Sequence, residues 1–163
     1  MWSMLCGPLL AEPVVPHVTA KVTMEDSNDY KDIAGSSAKS KVQRRQLHVT
    51  LDNRDKDGVK DVLVKWTIYA HKMDNNKLVT VKQGSATAKL EPLKTATVKS
   101  AEVVIKGTPK HTVTFRNRIR GQIQNDIKHH DATGEEYYGY AVVVYVGAVK
   151  VDEIYSQPSL KPE

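Results

Sequence analysis

Apolar and polar residues alternate with a period of two along most of the chain, and no segment keeps a helical period for three turns. In the segment QLHVTLDN, Leu47, Val49 and Leu51 point to one side while the residues between them point to the other. A later segment, VKDVLVKWTIYAHKM, carries Trp66 among alternating apolar neighbours. This rhythm predicts an all-β protein in which Trp66 belongs to the core rather than to an exposed sugar-binding platform.

Further alternating segments bring the predicted number of strands to about eight. They lie at residues 14–22, 78–82, 86–90, 95–105, 111–123 and 137–155. Glycine and proline separate several of them, and neither a βαβ alternation nor an internal repeat is visible. The pattern therefore favours an antiparallel β-sandwich of the immunoglobulin-like kind over a barrel or an α/β fold.

Three segments depart from the strand pattern. Residues 25–45 are rich in Ser, Asp and Lys and predict a long flexible loop, and residues 125–136 predict a second polar loop. Residues 1–13 are mostly apolar and are interpreted either as the remnant of a secretory signal or as an apolar arm. Residues 14–163 then form one folded domain, whose length is sufficient for a core of its own.

The closing segment, YYGYAVVVYVGAVKVDEIYSQPSL, predicts a hairpin. Gly147 and Ala148 fit a type II′ turn, because glycine accepts the positive φ that its first central position requires. This turn predicts cross-strand pairs on the core side between Val146 and Val149, Val144 and Val151, and Tyr140 and Tyr155. The opposite side is also largely apolar, so Val143, Tyr145 and Ile154 are predicted to contact another protein or a second copy.

The charge balance favours anionic partners. The chain of 163 residues has 24 Lys and Arg against 19 Asp and Glu, a formal net charge of +5. Arg116, Arg118 and Arg120 are predicted to line one side of a strand, where they form a cationic stripe suited to acidic glycans or anionic proteins. Because no aromatic residues interleave the stripe, nucleic acid is not an expected partner. No apolar run reaches the length of a membrane-spanning helix, so membrane contact is expected to be peripheral at most.

One segment resembles the start of a calcium-binding loop. Asn53, Asp55, Asp57 and Gly58 occur in the spacing N-x-D-x-D-G, which places oxygen ligands at alternate positions before a sharp turn. The twelfth position, which should supply a bidentate glutamate, is Val64 instead. An Asp-Gly turn between two strands is therefore the favoured interpretation.

Other candidates for chemistry are weak. His129 and His130 lie near Asp126 and Asp131, but adjacent residues of an extended chain point apart, so a solvated loop is favoured over a metal site. Cys6 is the single cysteine, which excludes an intrachain disulfide. No phosphate-binding loop, nucleophile elbow or metalloprotease motif occurs, so the chain is predicted to be no enzyme and to use no cofactor or metal.

The strand around Trp66 and the closing hairpin together resemble a group of exported, immunoglobulin-like proteins from envelopes of Verrucomicrobium-group bacteria. The shared features are a V-x-V-x-W strand, a Y-Y-G-Y-x-V-x-V-Y strand, a short Gly turn and a terminal S-x-P-S-L, which here cover residues 46–160. The resemblance extends to a small protein encoded beside type IV pilus components in a mucin-degrading gut bacterium.

This resemblance implies an exported protein of the periplasm, outer membrane or cell surface, with a structural or adhesive role and no catalytic residues. Expected partners are other envelope or pilus proteins, or further copies in a homo-oligomer. The alternative function is a carbohydrate-binding module for acidic or mucin-type glycans, with Tyr69, Tyr137 and Tyr145 as contact residues beside the arginine stripe.

Overall fold

The computed structural model describes residues 14–163, so the predicted apolar segment at residues 1–13 lies outside the described residues. Within the described range the chain forms ten strands and one three-residue 3-10 helix, Pro158–Leu160, and no helix there is long and apolar enough to cross a membrane. The strands are β1 (Val18–Asp32), β2 (Lys39–Asn53), β3 (Lys60–Lys72), β4 (Leu78–Leu90), β5 (Thr95–Lys99), β6 (Val103–Thr108), β7 (His111–Ile119), β8 (Gln122–His130), β9 (Thr133–Val146) and β10 (Val149–Tyr155).

The strands form two antiparallel layers and a separate two-stranded ribbon. In the first layer, β2 pairs with β1 along one edge and with β5 and β6 along the other. The second layer has the order β4-β3-β9-β10. A short pairing of Gly107 with Gly134 and of Thr108 with Thr133 connects β6 to β9 and so joins the layers. The predicted all-β antiparallel architecture is confirmed, whereas the immunoglobulin-like kind stays a prediction.

One core lies between the two layers. Leu47, Val49 and Leu51 of β2 are fully buried and belong to the same apolar cluster as Val64 and Ile68 of β3. The inward residues follow the period of two, as expected for strands with one face against a core. Trp66 is only 8% exposed, which confirms that it belongs to the core.

The prediction of a flexible loop at residues 25–45 is wrong. β1 and β2 pair in an unbroken register from Val18 opposite Asn53 to Asp32 opposite Lys39, and only the connection between those last two residues lacks strand structure. The polar residues found there form ion pairs across the hairpin. Lys39 Nζ lies 3.2 Å from Asp32 Oδ1, and Arg44 Nη2 lies 3.7 Å from Asp29 Oδ2. The inward positions of β2 in this segment are polar, since Gln43 and Arg45 are buried there, and therefore the alternation of apolar and polar residues did not reveal the strand.

The closing hairpin has the predicted turn but a different register beyond it. Val146 pairs with Val149, and Gly147 has a φ of +59°, as the type II′ prediction requires. A bulge between Lys150 and Asp152 then shifts the pairing by one residue. A bulge places two residues of one strand opposite one residue of its partner, and this moves every later side chain to the opposite face.

Candidate interaction surfaces

The most exposed element of the structure is the hairpin of β7 and β8, called here the β7–β8 arm (residues 111–130). Its two strands pair with each other over nine residues and with no other strand of the described chain. At about 3.3 Å per residue, the arm is about 30 Å long. Arg120 and Gly121 form its turn, and their φ values of +52° and +81° correspond to a type I′ hairpin turn.

The β7–β8 arm exposes large apolar side chains on both of its faces. Phe115 is 45% exposed, Ile119 53%, Ile123 67% and Ile127 60%. Phe115 and Ile119 lie on one face, whereas Ile123 and Ile127 lie on the other, opposite Arg118 and Thr114. The prediction of one strand over residues 111–123 is wrong, because the turn at Arg120 and Gly121 ends β7 and places Ile123 on the face opposite to Phe115 and Ile119.

The base of the β7–β8 arm is fixed to the connection between β1 and β2. Val113 is only 5% exposed, and the Thr114 N–H donates a hydrogen bond to the carbonyl of Gly35 at 2.9 Å. Gly35 has a φ of +75°, and a β-carbon there would lie 2.9 Å from a methyl carbon of Val113. The arm thus begins at a close contact with the sandwich and extends into solvent beyond it.

The predicted arginine stripe is only partly formed. Arg116 and Arg118 share one face of β7, but Arg120 occupies the turn with a positive φ. All three side chains are exposed. The arm therefore carries cationic charge near its tip, beside exposed isoleucines, rather than a straight row of three arginines.

His129 and His130, for which the sequence did not favour a metal site, lie on opposite faces of β8. His129 Nδ1 lies 3.2 Å from Thr112 Oγ1, while the ring of His130 stacks on that of His111 with centroids 5.0 Å apart. Within residues 14–163, no three His, Cys, Asp or Glu side chains form a group that could hold a metal ion. The prediction of a loop at 125–136 is wrong, because these residues belong mainly to β8 and β9.

The predicted interface on the closing hairpin divides between two faces. Val143 and Tyr145 lie on the outer face and are half-buried, with the Lys65 ammonium 5.3 Å from the centre of the Tyr145 ring. Ile154 pairs with the buried Val142 and packs against the core, so its predicted place on the outer face is wrong. The bulge at β10 is the physical reason, since it reverses the faces of the residues that follow it.

An ion pair covers part of the same outer face. The Lys150 ammonium donates a hydrogen bond to Glu153 Oε2 at 2.6 Å, and Glu153 lies opposite Val143. This hydrogen bond lowers the pKa of Glu153 and raises the pKa of Lys150. The outer face is thus more polar than the sequence pattern suggested.

Tyr137 also has a different environment from the one predicted. It was expected as an exposed contact residue, but it pairs with the buried Ala70 and packs against the core. The guanidinium carbon of Arg45, a residue only 5% exposed, lies 4.9 Å from the centre of its ring. Burial raises the pKa of the Tyr137 hydroxyl. Tyr69 and Tyr145 remain on the outer face as predicted.

A shallow cleft of about 320 Å³ lies where β3 ends and β9 begins. Its wall includes Tyr138 stacked on His71, with ring centroids 4.2 Å apart. Asn76 and Glu136 also line the cleft, and the Glu136 carboxylate accepts a hydrogen bond from the Lys41 ammonium at 3.1 Å. The cleft offers one aromatic surface together with polar groups of both signs.

The residues of the calcium-like spacing form a turn held by internal hydrogen bonds. Asn53 is buried, its amide donates to the Glu91 carbonyl at 3.0 Å, and its side-chain oxygen accepts the Asp55 N–H at 3.1 Å. Asp55 itself is held by His17 and Lys60. Val64 is fully buried, as predicted. The side-chain oxygens of Asn53 and Asp55 therefore already have hydrogen-bond or ion-pair partners in and around the connection between β2 and β3.

No family model matches the chain, and no curated protein matches it either. The surfaces described above therefore provide the basis for the functional proposal.

Proposed function

We propose that the protein is a non-catalytic interaction module of the bacterial cell envelope that associates with further copies, or with other envelope or pilus proteins, through the β7–β8 arm. The exported location is supported by the resemblance of the Trp66 strand and the closing hairpin to envelope proteins. The mode of contact is supported by the arm.

The single observation that carries this proposal is the exposure of Phe115, Ile119, Ile123 and Ile127 on a two-stranded ribbon outside the sandwich. An isolated pair of strands is marginally stable, and it gains stability from a third strand or from a packed surface. Exposed apolar groups and free strand edges also promote association. An element of this kind is best explained as a contact surface.

The test is analytical ultracentrifugation of the full chain over a wide concentration range. The variant carries Phe115→Thr, Ile123→Thr and Ile127→Thr, because threonine keeps the strand preference but removes most of the apolar surface. We expect the unaltered protein to associate with rising concentration and the triple variant to remain monomeric with an unchanged melting temperature. An unaltered protein that is monomeric throughout contradicts self-association through the arm, and contact with another envelope or pilus protein is then the only form of the proposal left.

Tyr145→Lys is the matched comparison for the other candidate surface. It introduces a charge on the outer face of β9 beside Lys65, while the arm is left intact. If association survives Tyr145→Lys and is lost in the triple variant, the arm is the contact surface. The reverse result assigns the contact to Val143 and Tyr145 on the sheet face.

The second candidate function is binding of acidic or mucin-type glycans, and the cleft beside Tyr138 favours it. Stacking of a sugar ring on an exposed aromatic face, together with hydrogen bonds from polar groups, is a common mode of glycan recognition. Titration of a sialylated oligosaccharide against the protein, followed by NMR, should shift the resonances of His71 and Tyr138. Tyr138→Ala should abolish those shifts and Tyr145→Ala should not. Absence of any shift in the unaltered protein excludes this function.

A further inference from the structure

The open edge of β8 has backbone groups available for pairing. A two-residue hairpin turn closes on a hydrogen-bonded pair, here Ile119 with Gln122, and such pairs alternate along an antiparallel ladder. The residues between them direct their N–H and C=O groups away from β7; these are Ile123, Asn125, Ile127 and His129. The hydrogen bond from the Thr114 N–H to Gly35 agrees with this alternation, because Thr114 is the partner of Ile127 and bonds away from β8.

The β8 edge is more accessible than the β7 edge. The connection between β1 and β2 already occupies the β7 edge at Thr114, whereas all nine residues of β8 are exposed. β8 contains neither a proline nor a bulge, two features that commonly protect edge strands from pairing. The charged residues within it are Asp126 and Lys128, which are of opposite sign and two positions apart.

We propose that two copies of the chain pair β8 with β8 in an antiparallel dimer whose twofold axis passes through Ile127. This inference rests on the self-association proposed above and specifies its geometry. In this register Asp126 lies opposite the partner's Lys128, and Lys128 lies opposite the partner's Asp126. Both are non-hydrogen-bonded pairs, in which the Cα atoms are about 4.5 Å apart and side chains approach most closely.

Charge selects this register from its neighbours. A twofold axis at Asp126 would place two carboxylates opposite each other, which destabilises a strand pair. An axis at Asn125 would place Asp126 opposite Gln124 and Lys128 opposite Gln122, and neither charge would then have a partner. The axis at Ile127 gives two pairs of Asp126 with Lys128, one on each side of the axis. It also places the two copies of Ile127 opposite each other.

Both charged side chains are available for these contacts. Within residues 14–163, no ion pair involves either of them. Asp126 accepts one hydrogen bond from the Asn117 amide at 2.6 Å, and the Lys128 ammonium lies 5.5 Å from the centre of the Phe115 ring. Pairing would convert two marginal ribbons into one four-stranded sheet, above the three strands that independent stability requires.

The test is charge reversal at both positions, with the dimer dissociation constant measured by ultracentrifugation. Lys128→Asp alone and Asp126→Lys alone each replace two attractive contacts by two repulsive ones, so each should weaken dimerisation by about tenfold or more. The double variant with both reversals should dimerise like the unaltered protein. An equimolar mixture of the two single variants should form a heterodimer.

Arg116→Asp is the control, since it changes the charge by the same amount on the same arm without touching the proposed pairs. It should leave the dissociation constant within about threefold of the unaltered value. If the unaltered protein dimerises and Lys128→Asp dimerises equally well, the register is wrong although self-association stands. If the unaltered protein shows no dimer, the self-association proposed above fails together with the register.

Discussion

Single polar side chains connect backbone segments between the layers and within a layer at points where no strand ladder does. The Asp152 carboxylate of β10 accepts the N–H of Ala20 in β1 at 2.8 Å, and so connects the open edges of the two layers. Within the first layer, the hydroxyl of Ser100 accepts the Leu47 N–H at 2.9 Å. A buried backbone group without a partner destabilises a fold by about 1 to 3 kcal/mol, so these residues have a structural role.

Asp55 is predicted to make the stability of the protein depend on pH. Desolvation opposes the effect, but hydrogen bonds from His17 and the charge of Lys60 lower the pKa of Asp55 below its ordinary value of 3.8. A lowered folded-state pKa stabilises the protein above the unfolded-state pKa, and this contribution is lost as the pH falls through the folded value. Thermal melts should show a decrease in stability below about pH 4 that Asp55→Asn reduces.

Asp57→Asn is the control for that experiment, because Asp57 lies exposed in the same turn. The Asp57→Asn variant should show the same decrease in stability at acid pH as the unaltered protein. If Asp55→Asn and Asp57→Asn give the same pH profile as the unaltered protein, the contacts of Asp55 with His17 and Lys60 do not contribute to acid stability.

At the scale of elements, turn residues set where side chains point. The type I′ turn of the β7–β8 arm has Arg120 at a position with positive φ, where a residue with a β-carbon is disfavoured by about 1 kcal/mol. Asn-Gly is the preferred pair for this turn. The Arg-Gly sequence in the turn of the arm is therefore less stable than Asn-Gly would be.

Arg120→Asn is expected to stabilise the β7–β8 arm by about 0.5 to 1 kcal/mol. Hydrogen exchange of the amides in β7 and β8 should slow, while the melting temperature of the sandwich should not change. Gly121→Ala, which places a β-carbon at a φ of +81°, should have the opposite effect on the same amides. Equal exchange in all three proteins would show that the turn does not limit the order of the arm.

At the scale of the whole molecule, the two layers depend on a close backbone approach between β6 and β9. Gly107 and Gly134 lie opposite each other, and a β-carbon on Gly134 would collide with the Lys106 carbonyl oxygen. Gly134 also has a φ of +83°. Glycine is required there for both reasons, at the point where strand pairing joins the two layers.

Gly134→Ala is expected to destabilise the protein by at least about 2 kcal/mol, because it adds a steric conflict to the strain of a positive φ. Gly58→Ala is the matched control: Gly58 has a φ of +74° but no atom lies within 4 Å of its would-be β-carbon. The free energy of unfolding of the Gly58→Ala variant should fall by only about 1 kcal/mol. Urea unfolding of both variants measures the difference, and equal losses would show that the approach of β6 to β9 is not tight.

Local pattern determined much of this protein. Alternation of apolar and polar residues predicted the all-β class, the inward set on β2 and β3 and the burial of Trp66, because a strand with one face in a core has a strict period of two. The glycine at position 147 predicted the last turn, since that position requires a positive φ. In both cases the cause lies within a few neighbouring residues.

Tertiary contacts decided the rest. Residues 25–45 form strands because β2 and β6 offer partners, which a polar segment does not reveal about itself. The bulge in β10 turned Ile154 inward, and the isolation of β7 and β8 exposed Ile123 and Ile127. Backbone pairing between segments distant in sequence depends on the whole fold. The candidate contact surface is the β7–β8 arm, whose two strands pair only with each other among the described residues.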